Sequence, residues 1–244
     1  MAAEDRETFP CRAPGSVPWG IGQAVLLLLA CQFLMAGGVL LGLSRGGLSG
    51  QMLYAAAADA VVFGLLLAFA AMRSGGPKDA MRHLGLVGPA SGTGGKAFKL
   101  AAVALLVYGA VVFGKLRLVE ALGLEELPLQ QVSRAVMQTD STFDLACATV
   151  VVVVLAPLME ETLFRSVLYL PLRSRLGILP AALIVALVFA AFHGYLWGVV
   201  DLVLLSLIFT AFFEVTGSLP VAMAAHGLFN GVSMLLLRLA SEAV

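Results

Sequence analysis

Apolar residues fall in seven blocks, covering about residues 18–43, 52–72, 100–114, 144–170, 177–196, 200–215 and 219–239. A helix needs about 20 consecutive apolar residues to cross a bilayer, so each block reads as a span. The third is short, and the fourth is long enough to tilt. The pattern predicts an all-α, polytopic transmembrane helical bundle of about seven spans, with six to eight as the range. Residues 1–17 read as a polar tail, residues 18–143 as N-terminal spans with their loops, and residues 144–244 as a helical core. The mixed stretch 115–143 suggests a surface helix or a re-entrant piece that shapes entry to the core.

Composition strengthens this reading. Of 244 residues, 60% are hydrophobic and 12% charged, against about 25% charged in an average soluble domain. A disordered chain, a collagen, a coiled coil and an ordinary soluble enzyme are excluded. Formal net charge is +0 with no long basic run, which gives no support for nucleic-acid binding. The cysteines Cys11, Cys31 and Cys147 are scattered, with neither metal spacing nor a disulfide framework. Cys31 follows Leu28-Leu29-Ala30, faintly like a lipoprotein box, but an apolar cysteine within a span is the simpler reading. Acids Glu4, Asp5 and Glu7 make the start a poor export signal. The loop Gly88–Lys96 resembles a phosphate loop but has Ala90 and Ala97 where the motif needs glycine and a hydroxyl. Gly38 and Gly42 form one G-x-x-x-G, which chance explains in a Gly-rich chain. Lys and Arg concentrate in residues 1–17, 73–99 and 173–175, so seven spans predict a cytoplasmic N-terminus.

Three places in the second half break the apolar pattern. Glu160-Glu161-Thr162-Leu163-Phe164-Arg165 lies deep in the fourth span. Glu161 and Arg165 are four apart on one helix face and can pair. Glu160 is turned about 100° from Glu161 and stays outside that pair. A spare carboxylate in a low-dielectric site is a candidate general base. In the fifth span Phe189 and His193 share a face, and in the seventh His226 and Asn230 do. Taken singly, His193 could bond a backbone carbonyl, and His226 and Asn230 could be polar helix glue. Taken together, a base, an imidazole and a two-donor pair suit attack of water on a carbonyl with the oxyanion held. Counted from the cytoplasmic ends, Glu160 lies roughly 20 Å deep and His193 roughly 24 Å, but His226 only about 10 Å. The third motif therefore needs tilt, or a span that starts earlier.

At these residues the chain resembles the CPBP (CAAX protease and bacteriocin-processing, or Abi) family. The family pattern E-E-x-x-x-R, F-x-x-x-H, H-x-x-x-N reads here Glu160-Glu161…Arg165, Phe189…His193 and His226…Asn230, over about residues 144–232. Thr216-Gly-Ser-Leu-Pro220 also looks like the family, while Ser166 stands where many members have glycine. The resemblance implies an intramembrane endopeptidase with Glu160 as base and His193 orienting the water. His226 and Asn230 would hold the oxyanion; Glu161, Arg165 and Phe189 would support the site. The substrate would be a membrane-associated or lipidated protein or peptide, and the setting the lipid bilayer of a bacterial cytoplasmic membrane. Glu160, His193 and His226 are also a His₂Glu set of the kind that binds catalytic zinc. The resemblance favours the metal-free route, and the H-E-x-x-H of zincins is absent.

Two rival functions remain open. A non-catalytic immunity or scaffold protein could carry the same motifs. A proton-coupled transporter would use the acids Asp59, Asp201, Glu214 and the Glu160 pair, although no internal repeat is visible. Asp59, Asp201 and Glu214 would be essential to transport and mostly dispensable to proteolysis. Asp59 could equally lie near the interface or bond a neighbouring helix.

Overall fold

The computed structural model describes residues 17–40, 47–123 and 129–242. Among the described residues nine helices follow one another: α1 (Ile21–Leu40), α2 (Gly47–Ser74), α3 (Pro77–His83), α4 (Gly94–Ala121), α5 (Gln131–Gln138), α6 (Thr142–Leu176), α7 (Ile178–Phe192), α8 (Val199–Thr216) and α9 (Leu219–Glu242). No strand occurs among the described residues. Helices α2, α4, α6, α8 and α9 are long and apolar enough to cross a membrane, and α1 and α7 are shorter apolar helices. These seven correspond in order to the seven apolar blocks. The third block underestimated its helix, because Lys96, Lys99, Lys115 and Arg117 lie within α4 and interrupt the apolar run without ending the helix. Within 115–143, the described residues hold the end of α4 and the short helix α5. Gly42, of the G-x-x-x-G pair, lies outside the described residues.

The exterior is apolar. Phe33, Leu105, Leu106, Phe113, Leu235 and Leu236 are all exposed, and α4 buries no residue at all. Such a surface is stable against lipid tails and not against water, so this is an integral membrane protein. The interior is centred on α6. Phe164, Val167 and Tyr169 of α6 pack with Leu66 of α2, Val185 and Phe189 of α7, and Phe213 of α8 in one buried cluster. Trp19, just before α1, donates its indole N–H to the Val167 carbonyl at 3.1 Å and ties the first helix to the sixth.

Helix α6 is not regular. Ser141 caps its start, accepting from the Asp144 N–H at 3.2 Å. Two stretches, Val151–Leu155 and Thr162–Tyr169, have the wide π-type turn, and they flank the regular segment Ala156–Glu161. Such turns are frequent at functional sites.

The link from α8 to α9 is the Thr216–Pro220 stretch. Gly217 ends α8 in the left-handed conformation at φ 65°, where glycine is favoured. The turn docks on residues 85–90: Leu219 N–H reaches the Gly85 carbonyl at 2.7 Å, Ser218 Oγ the Val87 carbonyl at 2.7 Å, and Ala90 N–H the Thr216 carbonyl at 3.1 Å. Of the loop that resembled a phosphate loop, Ala90 takes part in this docking. Ser166, the departure from the family pattern, is fully buried and donates to the Leu84 carbonyl in the same region.

Candidate active site

Helix α6 supplies the acids. Glu161 and Arg165 are both fully buried, and Arg165 Nε lies 3.0 Å from Glu161 Oε2, as their spacing predicts. Arg165 also donates to the Ser206 carbonyl at 3.3 Å. Its guanidinium lies 5.1 Å from the Phe189 ring centre and 5.6 Å from that of Phe209, a cation–π arrangement in a dry setting. Phe189 also packs against His193, at 4.4 Å between ring centres. The phenylalanine of the second motif therefore spaces Arg165 from the histidine.

Glu160 takes a different environment. Two imidazole nitrogens face its Oε2: His193 Nε2 at 3.8 Å and His226 Nε2 at 3.9 Å. Both separations exceed a hydrogen bond, and Oε2 has no hydrogen-bond partner among the described residues. The other nitrogen of each ring is anchored. His193 Nδ1 lies 2.8 Å from the Phe189 carbonyl, and His226 Nδ1 lies 2.9 Å from Glu161 Oε1. A carbonyl and a carboxylate accept only, so both Nδ1 atoms donate, and in the neutral rings both Nε2 atoms present lone pairs to Glu160. The carbonyl bond expected of a lone His193 is therefore present, and the second nitrogen still faces the acid. His226 lies flat on Phe209, 4.4 Å and 18° apart. The third motif thus meets the first despite its shallower place in the sequence count.

Asn230 is positioned by a peculiarity of α6. In a regular helix Val152 O would accept from Ala156 N–H, but that N–H goes to Val151 O. The next residue is Pro157, which has no N–H. The Val152 carbonyl is left without a helical donor, and Asn230 Nδ2 donates to it at 2.9 Å. The second amide hydrogen of Asn230 is not used by this bond. One turn earlier Gly227 lets α9 approach: a Cβ there would stand 2.4 Å from the Val153 carbonyl oxygen. Gly227→Ala is expected to cost about 1–3 kcal/mol from overpacking and to pull Asn230 off Val152. A lower unfolding temperature in detergent, together with reduced activity, is the readout.

Glu160, His193, His226, Asn230 and Phe189 line one cavity of about 410 Å³, within the usual range for ligand pockets. Tyr108, Phe209 and Phe229 add aromatic walls, and Val132, Ser133 and Val136 of α5 close part of it. Asp59 of α2 lines the same cavity. It is 2% exposed, buried by the protein itself. The other two acids assigned to transport are paired. Asp201 bonds Lys115, and Glu214 is held by Arg173 Nε at 2.7 Å and by the Tyr169 hydroxyl at 2.8 Å. Tyr169 and Arg173 were not singled out in the sequence, although 161, 165, 169 and 173 form a four-residue series that could have exposed them.

Glu160 Oε2 and the two Nε2 atoms are donor types that zinc accepts. Their separations of 3.8 and 3.9 Å exceed the roughly 3.3 Å between neighbouring ligands that bonds near 2.0–2.1 Å impose on a tetrahedral ion. Among the described residues no group of three His, Cys, Asp or Glu side chains stands close enough to hold a metal ion. As arranged, the three stand farther apart than the ligands of a bound zinc ion.

A half-buried carboxylate whose Oε2 faces two oriented imidazoles, inside a helical membrane bundle, defines the class: a membrane-embedded protein with a carboxylate–imidazole cluster in its interior. Residues 142–232 match the family model described as Rce1-like, type II CAAX prenyl endopeptidase Rce1-like. That segment is similar to the Rce1-like family and holds the three motifs Glu160-Glu161…Arg165, Phe189…His193 and His226…Asn230. No curated protein and no solved structure matches the chain.

Proposed function

We propose that this protein is an intramembrane endopeptidase that hydrolyses a peptide bond of a membrane-associated protein or peptide by a metal-free, glutamate-based mechanism. The observation that carries the reading is the unpartnered Glu160 Oε2 set against two imidazoles whose outer nitrogens are fixed. A water molecule between Glu160 and His193 would give its proton to Glu160 as its oxygen attacks the scissile carbonyl. Asn230 has an amide hydrogen to offer the resulting oxyanion. His226 can add a second donor from Nε2 after taking one further proton from solvent, which stays on the ring through the cycle with Glu161 beside it as counter-ion. Glu160 then passes its proton to the leaving amine as the C–N bond breaks. The products are one carboxylic acid and one amine, and Glu160 returns to its starting state.

Glu161, Arg165 and Phe189 act through others. Arg165 fixes Glu161, Glu161 fixes His226, and Phe189 supplies the carbonyl that fixes His193. The apolar exterior and the predominance of Lys and Arg in the first loops support placement in a bacterial cytoplasmic membrane with the N-terminus inside.

The test compares membrane-protein termini in cells carrying wild type or Glu160→Gln at matched levels. Proteolysis is expected to leave a protein or small group uncleaved in the variant. Identical termini in both, with a deletion phenotype intact, would move the function to the scaffold or transport readings.

A further inference from the structure

Five acids of the membrane-embedded helices divide into two groups. Glu161, Asp201 and Glu214 each have a cationic partner, namely Arg165, Lys115 and Arg173. Asp59 and Glu160 have no lysine or arginine partner among the described residues, and both line the same cavity. Asp59 is 2% exposed, and its Oδ1 has no hydrogen-bond partner among the described residues. A buried polar oxygen left unpaired is costly, and a buried charge more so. No hydrogen bond joins the Asp59 side chain to another lining residue among the described residues, and the lining histidine nitrogens that face Glu160 are acceptors.

We infer that Asp59 forms a subsite for the side chain of a substrate lysine or arginine beside the scissile bond. This rests on the endopeptidase reading. A cation brings both the donors and the charge that Asp59 lacks. Met52 and Ala55 line the cavity at positions three and four residues apart along α2, ending at Asp59. They make an apolar row on one helix face. An aliphatic stem can lie along such a row while its charged head reaches the carboxylate. A substrate's terminal carboxylate would be repelled by the same pair of acids, so the subsite favours basic sequences over an acidic end. Asp59, essential under the transport reading, would select substrate under this one.

The experiment extends the termini comparison to Asp59→Asn and Asp59→Glu. Cut sites lost in Glu160→Gln cells are expected to carry Lys or Arg within about three residues. Cleavage there should fall at least 10-fold in Asp59→Asn and recover in part in Asp59→Glu. Changing that basic residue to Met in one such substrate should give the same loss with the wild-type enzyme, and no further loss with Asp59→Asn, as coupled partners require. The substrate-side change leaves the enzyme intact and decides the matter even if Asp59→Asn folds poorly. Cut sites without a basic residue, wild-type processing by Asp59→Asn, or losses that simply add would each overturn the subsite while leaving the endopeptidase standing. Termini unchanged in Glu160→Gln would remove both.

Discussion

Glu160→Gln is expected to slow cleavage by about 10²–10⁴, the usual contribution of a positioned general base, while the protein keeps its unfolding temperature in detergent. Glutamine has the shape of glutamate and cannot take a proton from water. It can be accommodated because Glu160 Oε2 holds no hydrogen bond that the fold depends on. The neighbouring Glu161→Gln gives the contrasting result. Glu161 accepts from His226 at 2.9 Å and pairs with Arg165 at 3.0 Å, fully buried, so its neutralisation should lower stability and activity together. Cleavage rate and unfolding temperature, measured on both variants, separate the roles. If the two lose stability equally, the division of work between the adjacent acids is wrong. If Glu160→Gln cleaves at the wild-type rate, the base lies elsewhere.

Arg165→Met is expected to destabilise the protein by about 3–5 kcal/mol, the cost of leaving one member of a buried ion pair alone. Methionine fills much of the arginine stem but returns neither the pairing with Glu161 nor the bond to the Ser206 carbonyl. Arg165→Lys should not rescue it, because a point ammonium lacks the planar group that lies between Phe189 and Phe209. Adding Glu161→Gln to Arg165→Met should cost less than the sum of the two single changes, since the stranded charge is gone. Denaturant unfolding in detergent measures all three. Full additivity would show that the pair does not act as a unit.

The bundle was legible because span length and helix periodicity are local properties. The Glu161–Arg165 pair was legible for the same reason: its spacing of four lies within one helix. Meeting of Glu160, His193 and His226 was suggested by residue type and motif order, but contact among α6, α7 and α9 is set by packing that no single segment carries. The role of Asn230 was only half legible. Its face was readable from the spacing to His226, whereas its acceptor arises from a wide turn combined with Pro157, and the valine run 150–154 gives no sign of that. Asp59 was visible as an anomaly in α2, but nothing in the sequence tied it to residues a hundred positions away. Glu214 looked like a lone acid because its partners Tyr169 and Arg173 are on another helix.

The placement of Glu161 and Arg165 on one helix also bears on how the chain enters the bilayer as it is made. A pair four residues apart closes as soon as that turn forms, so the sixth helix can leave the translocation channel with those two charges already matched. Asp59 enters far earlier with no such companion, and Glu214 joins Arg173 only after a further helix has been synthesised. The second and eighth helices therefore enter the membrane with their acids unmatched, whereas the sixth, which carries the most charge, leaves only Glu160 of its adjacent acid pair without a cation.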